Sequence, residues 1–186
     1  MGPFRLVRRG RERQRNLYWD TEDLCLKRAR AALKLRQVGP RAEVTFKREL
    51  RYRGGVSHRI EVTVPVRRSR LRKLWATRHP IGPIRRAREI AGVRPLKEVL
   101  TLWTDRRRRV FGLGRERIEL DLDRVTVRQG KRPIATHREV ELENRSASAD
   151  RFQEALQALR RRFGKGLKPC RRSKYELGLA GSRGPA

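Results

Sequence analysis

The sequence predicts an α+β fold, mainly antiparallel β with a few flanking helices. Two observations carry that prediction: five segments alternate apolar and charged residues with period two, and only two stretches show a strong 3.6-residue apolar period. Length adds a third. A chain of 186 residues has room for one domain with a sizeable core.

In chain order, a short helix is expected after Asp20, where Asp23 stands three places on in a loose capping box ahead of Leu24 and Leu26. Leu33-Lys34-Leu35-Arg36 and Val44-Thr45-Phe46-Lys47 then read as strands with one basic-ended face. Arg59-Ile60-Glu61-Val62-Thr63-Val64 sets three β-branched residues against Arg59, Glu61 and Thr63. Pro83, at home in a first turn, opens a helix through Ile84, Ala87 and Ile90 that Gly92 closes. Ile118-Glu119-Leu120-Asp121-Leu122-Asp123 and Glu139-Val140-Glu141-Leu142-Glu143 are strands whose polar faces are wholly acidic. Ser148 caps a last helix with Phe152, Ala155, Leu156, Leu159 and Phe163 in one stripe before Gly164.

Charge narrows the function. Lys+Arg is 50 and Asp+Glu is 20, a net charge of +30, so a polyanionic partner is expected. Nevertheless 7 of the 20 acidic residues fall between positions 116 and 143. Like charges at i, i+2 and i+4 on a strand repel, so these carboxylates need cations beside them, either arginines of neighbouring strands or metal ions. Strands that close into a barrel with the charged face inward give a polar lumen with basic and acidic walls. Such a lumen suits a phosphate chain with divalent metal, because guanidinium and ammonium groups bind phosphate oxygens and hard cations take carboxylate oxygens.

No apolar run reaches the roughly 18 residues of a membrane span, and the basic Arg5 to Arg9 start lacks the apolar stretch of a signal peptide, so a cytoplasmic chain with no membrane partner is expected. Cys25 and Cys170 form no metal or disulfide pattern. His58, His79 and His137 are scattered and receive no role. The basic runs Arg106 to Arg109, Arg67-Arg68, Arg70, Arg72-Lys73 and Arg160 to Arg162 are candidate contacts for RNA or polyphosphate. Only 11 residues are aromatic, too few to argue for base stacking.

Eight short elements stand in an order that resembles the CYTH superfamily, the triphosphate tunnel metalloenzymes: Tyr18-Trp19-Asp20-Thr21, Leu33-Lys34-Leu35-Arg36, Thr45-Phe46-Lys47, Arg59-Ile60-Glu61, Arg108 before Phe111, Leu122-Asp123, Glu139 to Glu143, and Ser173-Lys174-Tyr175. The resemblance implies a closed or nearly closed β-tunnel barrel of about eight antiparallel strands with a charged lumen. It implies a triphosphate-bearing small molecule or polyphosphate as partner, Mg²⁺ or Mn²⁺ as cofactor, and hydrolysis as the reaction. By position, Lys34, Arg36, Lys47, Arg59, Arg108 and Lys174 would hold phosphate, with Arg106 sharing the face of Arg108. Glu61, Asp123, Glu139 and Glu141 would serve the metal.

One departure stands out. The family opens on a strand carrying E-x-E-x-K, whereas only 17 residues precede Tyr18, with Glu12 their single carboxylate. The expectation is either a chain that begins downstream of that strand, the favoured reading, or a member that has lost the strand, with phosphohydrolase activity weak or absent for want of its ligands. The expected organisation is a basic segment at 1–12, the CYTH-like domain at 13–178 and a flexible tail at 179–186. Two other functions compete: a non-catalytic polyanion-binding protein contacting nucleic acid non-specifically, and an adenylate cyclase.

Overall fold

A computed structural model describes residues 1–53, 56–74, 79–129 and 132–182. Seven strands, β1 (Arg5–Asp20), β2 (Ala31–Val38), β3 (Arg41–Arg53), β4 (Val56–Val66), β5 (Lys97–Leu113), β6 (Glu116–Gln129) and β7 (Arg132–Asn144), form one sheet in the order β4-β3-β2-β1-β5-β6-β7. The helices are α1 (Cys25–Arg28), α2 (Gly82–Ala91), α3 (Ala149–Phe163) and α4 (Lys174–Ser182). The fold is α+β, as expected. The ladder runs open from β4 to β7, and no hydrogen-bonded closure occurs among the described residues.

All five predicted strands form, and so do the three predicted helices. Two strands and one helix come in addition. Arg5 to Arg15, which no apolar alternation marks as a strand, lie in β1, which pairs with β2 through Leu17↔Leu35 and Tyr18↔Lys34. The Arg106 to Arg109 run lies inside β5. Of the tail expected at 179–186, residues 179–182 belong to α4, where Leu179 is buried, and the remainder lies outside the described residues, as do the side chains of Arg70, Arg72 and Lys73.

The chain divides into two compact units, one of residues 1–12, 105–125 and 137–170, the other of 13–104, 126–136 and 171–186. In the second unit, β2, β3 and β4 form a meander whose first turn uses Gly39 at φ +54°, a backbone conformation costly for residues with a Cβ. Leu33↔Phe46, Leu35↔Val44 and Phe46↔Val62 put the apolar side chains on one face. That face packs with Ile84, Ala87 and Ala91 of α2 and with Cys25 and Leu26 of α1 into the core. Lys34, Arg36, Glu43, Lys47, Arg59 and Glu61 are thereby turned to the opposite face, whereas Arg48, paired with Ala31 and Ile60, stays at the edge of the apolar one.

The first unit has its own core, in which Phe4, Ile118 and Ala155 are buried and Phe111, Leu113, Leu142 and Phe152 pack around them. The Ser148 hydroxyl accepts the Arg151 N–H at 3.4 Å, the cap that sequence predicts for α3.

Candidate functional site

Cross-strand register assembles the basic face of the second unit. Tyr18↔Lys34↔Thr45↔Thr63 and Asn16↔Arg36↔Glu43 are rows across it, Lys47 stands opposite Glu61, and Arg59 opposite Glu49. Directly paired residues share a face, so Lys34, Arg36, Lys47, Arg59 and Glu61 lie together. Arg36 donates to Asn16 Oδ1 at 3.1 Å and to Glu43 at 3.4 Å, and Lys47 Nζ pairs with Glu61 at 2.7 Å. Burial alone would raise the Glu61 carboxyl, but Lys47, then Lys34 and Arg59, hold it below the ordinary carboxylate range. Glu61 is therefore the counterion of Lys47 here.

Lys34 is the exception on this face. It is buried, 6% exposed, and its ammonium makes no hydrogen bond or ion pair among the described residues. Burial, then Arg36 and Lys47, and more weakly Lys174, push it well below its ordinary pKa, with Glu61 opposing. A buried amine whose charged form is disfavoured by burial and by neighbouring cations gains most when an anion arrives.

Lys174 reaches this environment through the packing of α4. Asp20, fully buried, accepts the N–H groups of Thr21 at 2.7 Å, Leu26 at 2.9 Å and Lys27 at 3.0 Å, and thereby caps α1. Its Oδ2 also accepts the Tyr175 hydroxyl at 2.8 Å, while the Tyr175 ring stacks on Tyr18 with centroids 5.0 Å apart. Burial, then Asp20, raise the Tyr175 pKa far above its usual value, so the phenol stays a donor. Residue 174 is fixed by its neighbour.

The first unit holds the acidic cluster. Arg106, 3% exposed, pairs with Asp121, with Asp123 at 2.6 Å and with Glu141 at 3.0 Å. Arg108 pairs with Glu119 at 2.8 Å, Asp121 at 3.2 Å and Glu12 at 3.4 Å, and Arg145 joins Glu119 to Glu143. Burial raises the Asp121 carboxyl to about 6 against the pull of Arg106 and Arg108, with Glu119 adding to the rise. The carboxylates Glu12, Glu119, Asp121, Asp123, Glu139, Glu141 and Glu143 thus outnumber Arg106, Arg108 and Arg145. Two triads have oxygens within 4.8 Å of one another, Asp123-Glu139-Glu141 and Asp121-Glu141-Glu143. An all-oxygen set with excess negative charge fits a hard divalent cation.

Residues 4–170 match the CYTH domain model. The chain belongs to the CYTH domain family. Among solved structures, a protein from Hippeastrum whose description pairs adenylyl cyclase with a dominant triphosphatase activity is 20% identical, with TM-score 0.68, covering 92% of this chain and 83% of that one. A Bacillus halodurans protein described as a candidate adenylate cyclase is 21% identical, with TM-score 0.67 and coverages of 95% and 83%. A Pyrococcus horikoshii protein follows at 19% identity and TM-score 0.52, covering 96% of this chain and 88% of that one. These likenesses bear on the fold. No curated protein matches the chain significantly.

For this CYTH chain the basic residues expected at phosphate lie in two groups. Lys34, Arg36, Lys47 and Arg59 share one face in the second unit, which also contains Lys174, while Arg106 and Arg108 sit among carboxylates in the first. Of the expected metal residues, Asp123, Glu139 and Glu141 converge in one triad, and Glu61 pairs with Lys47 in the other unit. Sequence reading did not assign Asp121, Glu143, Glu12 or Arg145 to the site. The alternation that marked the acidic strands already put Asp121 and Glu143 on the right faces, whereas nothing local marked Glu12.

Proposed function

We propose that this chain binds a triphosphate-bearing small molecule together with a divalent cation, Mg²⁺ or Mn²⁺, and hydrolyses it, water cleaving the terminal phosphoanhydride to release orthophosphate. The observation that carries the reading is Lys34, a buried amine that makes no ion pair among the described residues, flanked by Arg36, Lys47 and Arg59 on one sheet face. Several fixed cations favour a chain of phosphates over a single one, because each further unit adds a charge-assisted contact at little extra entropic cost.

Asp123, Glu139 and Glu141 would hold the cation, with Asp121 and Glu143 beside them. When bound, that ion supplies charge neutralisation at phosphate oxygens and acidifies water. The chain's own part is to position phosphate by Lys34, Arg36 and Lys174 and to offset the mutual repulsion of the carboxylates through Arg106 and Arg108. Family membership supports triphosphate chemistry as the class of reaction.

The test is calorimetric titration of tripolyphosphate and orthophosphate at moderate salt, followed by a phosphate-release assay with Mg²⁺ or Mn²⁺. Tripolyphosphate is expected to bind at least tenfold more tightly, and replacing Lys47 and Arg59 by Ala is expected to remove most of that preference. Equal affinity for both ligands would overturn the reading.

A further inference from the structure

The first unit carries a second charged surface, on the face opposite its carboxylates. Alternation defines it: Glu12 on β1, Arg106 and Arg108 on β5, Asp121 and Asp123 on β6 and Glu141 on β7 meet in ion pairs, so the residues between them point to the other side. There stand Arg9 and Arg11 on β1, Arg107 and Arg109 on β5, Arg124 on β6 and Arg138 on β7. An ion pair joins Arg11 to Asp105 at 4.0 Å across two of these strands, as that assignment requires. Buried Ile118 and partly buried Leu142 lie on the same face at its α3 end, with Leu120, Leu122 and Val140 beside them, so α3 and an apolar strip take up one part of the face and the arginines line the remainder.

The contrast between the two faces is one of pairing. Arg106 and Arg108 are each shared by three carboxylates. Arg9, Arg107, Arg109, Arg124 and Arg138 make no hydrogen bond or ion pair among the described residues, and Arg9, Arg107, Arg124 and Arg138 are exposed. Among the alternate positions of these strands within the unit the only acidic residues are Asp105 and, at the α3 end, Glu116. Unneutralised guanidiniums spaced about 6.7 Å apart along each strand and about 4.8 Å between strands form a grid of phosphate donors.

We propose that this face binds duplex DNA through its phosphate backbone, without reading sequence. The chemistry of the face selects that partner. Within the unit its strand positions hold no exposed aromatic residue, and Trp103, two positions before Asp105 on β5, lies under the Arg128 guanidinium at 5.8 Å, so the face offers no row of aromatic platforms for the stacked bases of a single strand. Apart from Asn144 at the strand end they hold no Ser, Thr, Asn or Gln either, so a ribose 2′-hydroxyl or a base edge finds little to bond. What remains is dense positive charge, matched to the polyanion with one charge per about 1.7 Å of axis.

The experiment is fluorescence anisotropy of a mixed-sequence 20-base-pair DNA against salt concentration. Engaging five or six phosphates gives a slope near −5 in log K against log salt, hence a loss of about 1,000-fold between 50 and 200 mM salt. The triple variant R107Q/R109Q/R124Q is expected to flatten the slope by about 3 and to weaken binding more than tenfold, with an unchanged circular dichroism spectrum. R161Q/R162Q, a charge change on α3, is expected to shift affinity less than threefold. Equal losses from both variants would reduce the effect to net charge and overturn the proposal. A single-stranded DNA or an RNA of the same length binding as tightly would overturn it as well. So would displacement of the duplex by saturating tripolyphosphate at constant ionic strength, which would place the DNA on the Lys34 face. Tripolyphosphate binding can fail while duplex binding persists, so this proposal and the triphosphate reading fall separately.

Discussion

The carboxylate of Asp20 accepts the hydroxyl of Tyr175 at 2.8 Å across 155 residues of sequence. The same carboxylate caps α1, so one buried acid fixes the end of β1, the first helix and the last helix at once. This explains why a Tyr-x-Asp-Thr element and a Ser-Lys-Tyr element, far apart in the chain, belong to one constellation.

Removing the Tyr175 hydroxyl leaves Asp20 three backbone donors and leaves the ring stacked on Tyr18. Tyr175→Phe is therefore expected to cost about 1 kcal/mol in urea unfolding. Asp20→Ala strips the partner from several buried N–H groups together and is expected to cost about 3 kcal/mol or more. If the phenol also sets the position of Lys174, Tyr175→Phe weakens tripolyphosphate binding several-fold while orthophosphate binding changes little. A Tyr175→Phe protein as stable as the parent would show that the bond carries no weight.

Lys34 makes a prediction of opposite signs. Its amine is buried with no ion pair among the described residues, so Lys34→Met is expected to stabilise the ligand-free chain by about 1 to 3 kcal/mol. The same substitution removes the most desolvated phosphate donor and is expected to weaken tripolyphosphate binding at least tenfold. Thermal melts with and without the ligand measure both effects, and a variant that loses stability and affinity together would refute the account.

Proton linkage follows from the same residue. Because burial, Arg36 and Lys47 lower the folded pKa of Lys34, the unfolded chain binds more protons between that value and about 10.4, and stability rises with pH across that window. An anion reverses the preference by restoring the charged amine, so binding takes up a proton and affinity falls as pH rises through the lowered value. Calorimetry in buffers of different ionisation enthalpy reads that uptake directly. It is expected in the parent and absent in Lys34→Met, and identical proton counts for the two would remove Lys34 from the site.

Much of this was legible in the sequence because period-two alternation of charge against β-branched residues is a strong signal. Glu119, Asp121 and Asp123 share a polar face in any register, and so do Lys34 and Arg36. β1 and β5 were not legible for the converse reason. Arg8, Arg9, Arg11, Arg13 and Arg15, like Arg106 to Arg109, put cations at neighbouring positions or at one parity with no apolar counterpart, and a strand whose two faces are both basic shows no periodicity. Only long-range pairing separates Arg106 and Arg108, among carboxylates, from Arg107 and Arg109, on the other side. The 4.0 Å approach of Arg11 to Asp105 and the triple pairing of Arg106 are properties of strand order, which single-strand patterns do not contain.

The last prediction concerns Arg106 as a placeholder for charge. Its guanidinium is nearly inaccessible and lies against Asp121, Asp123 and Glu141, two of which belong to the candidate triad with Glu139. Replacing it by Met leaves buried carboxylates without their cation, a change that typically costs about 3 to 5 kcal/mol. If these oxygens also bind a divalent ion, that ion can neutralise part of the exposed charge, and the loss becomes metal-dependent. Arg106→Met is thus expected to lower the melting temperature markedly in EDTA and to recover a substantial part of it in millimolar Mg²⁺ or Mn²⁺, with a larger metal-induced shift than the parent shows. Adding Glu139→Gln and Glu141→Gln to the variant reduces the negative charge, which should restore stability and abolish the metal response together. An Arg106→Met chain whose melting temperature ignores both cations would show that the carboxylates are matched to arginine alone, and the metal would have to be held elsewhere.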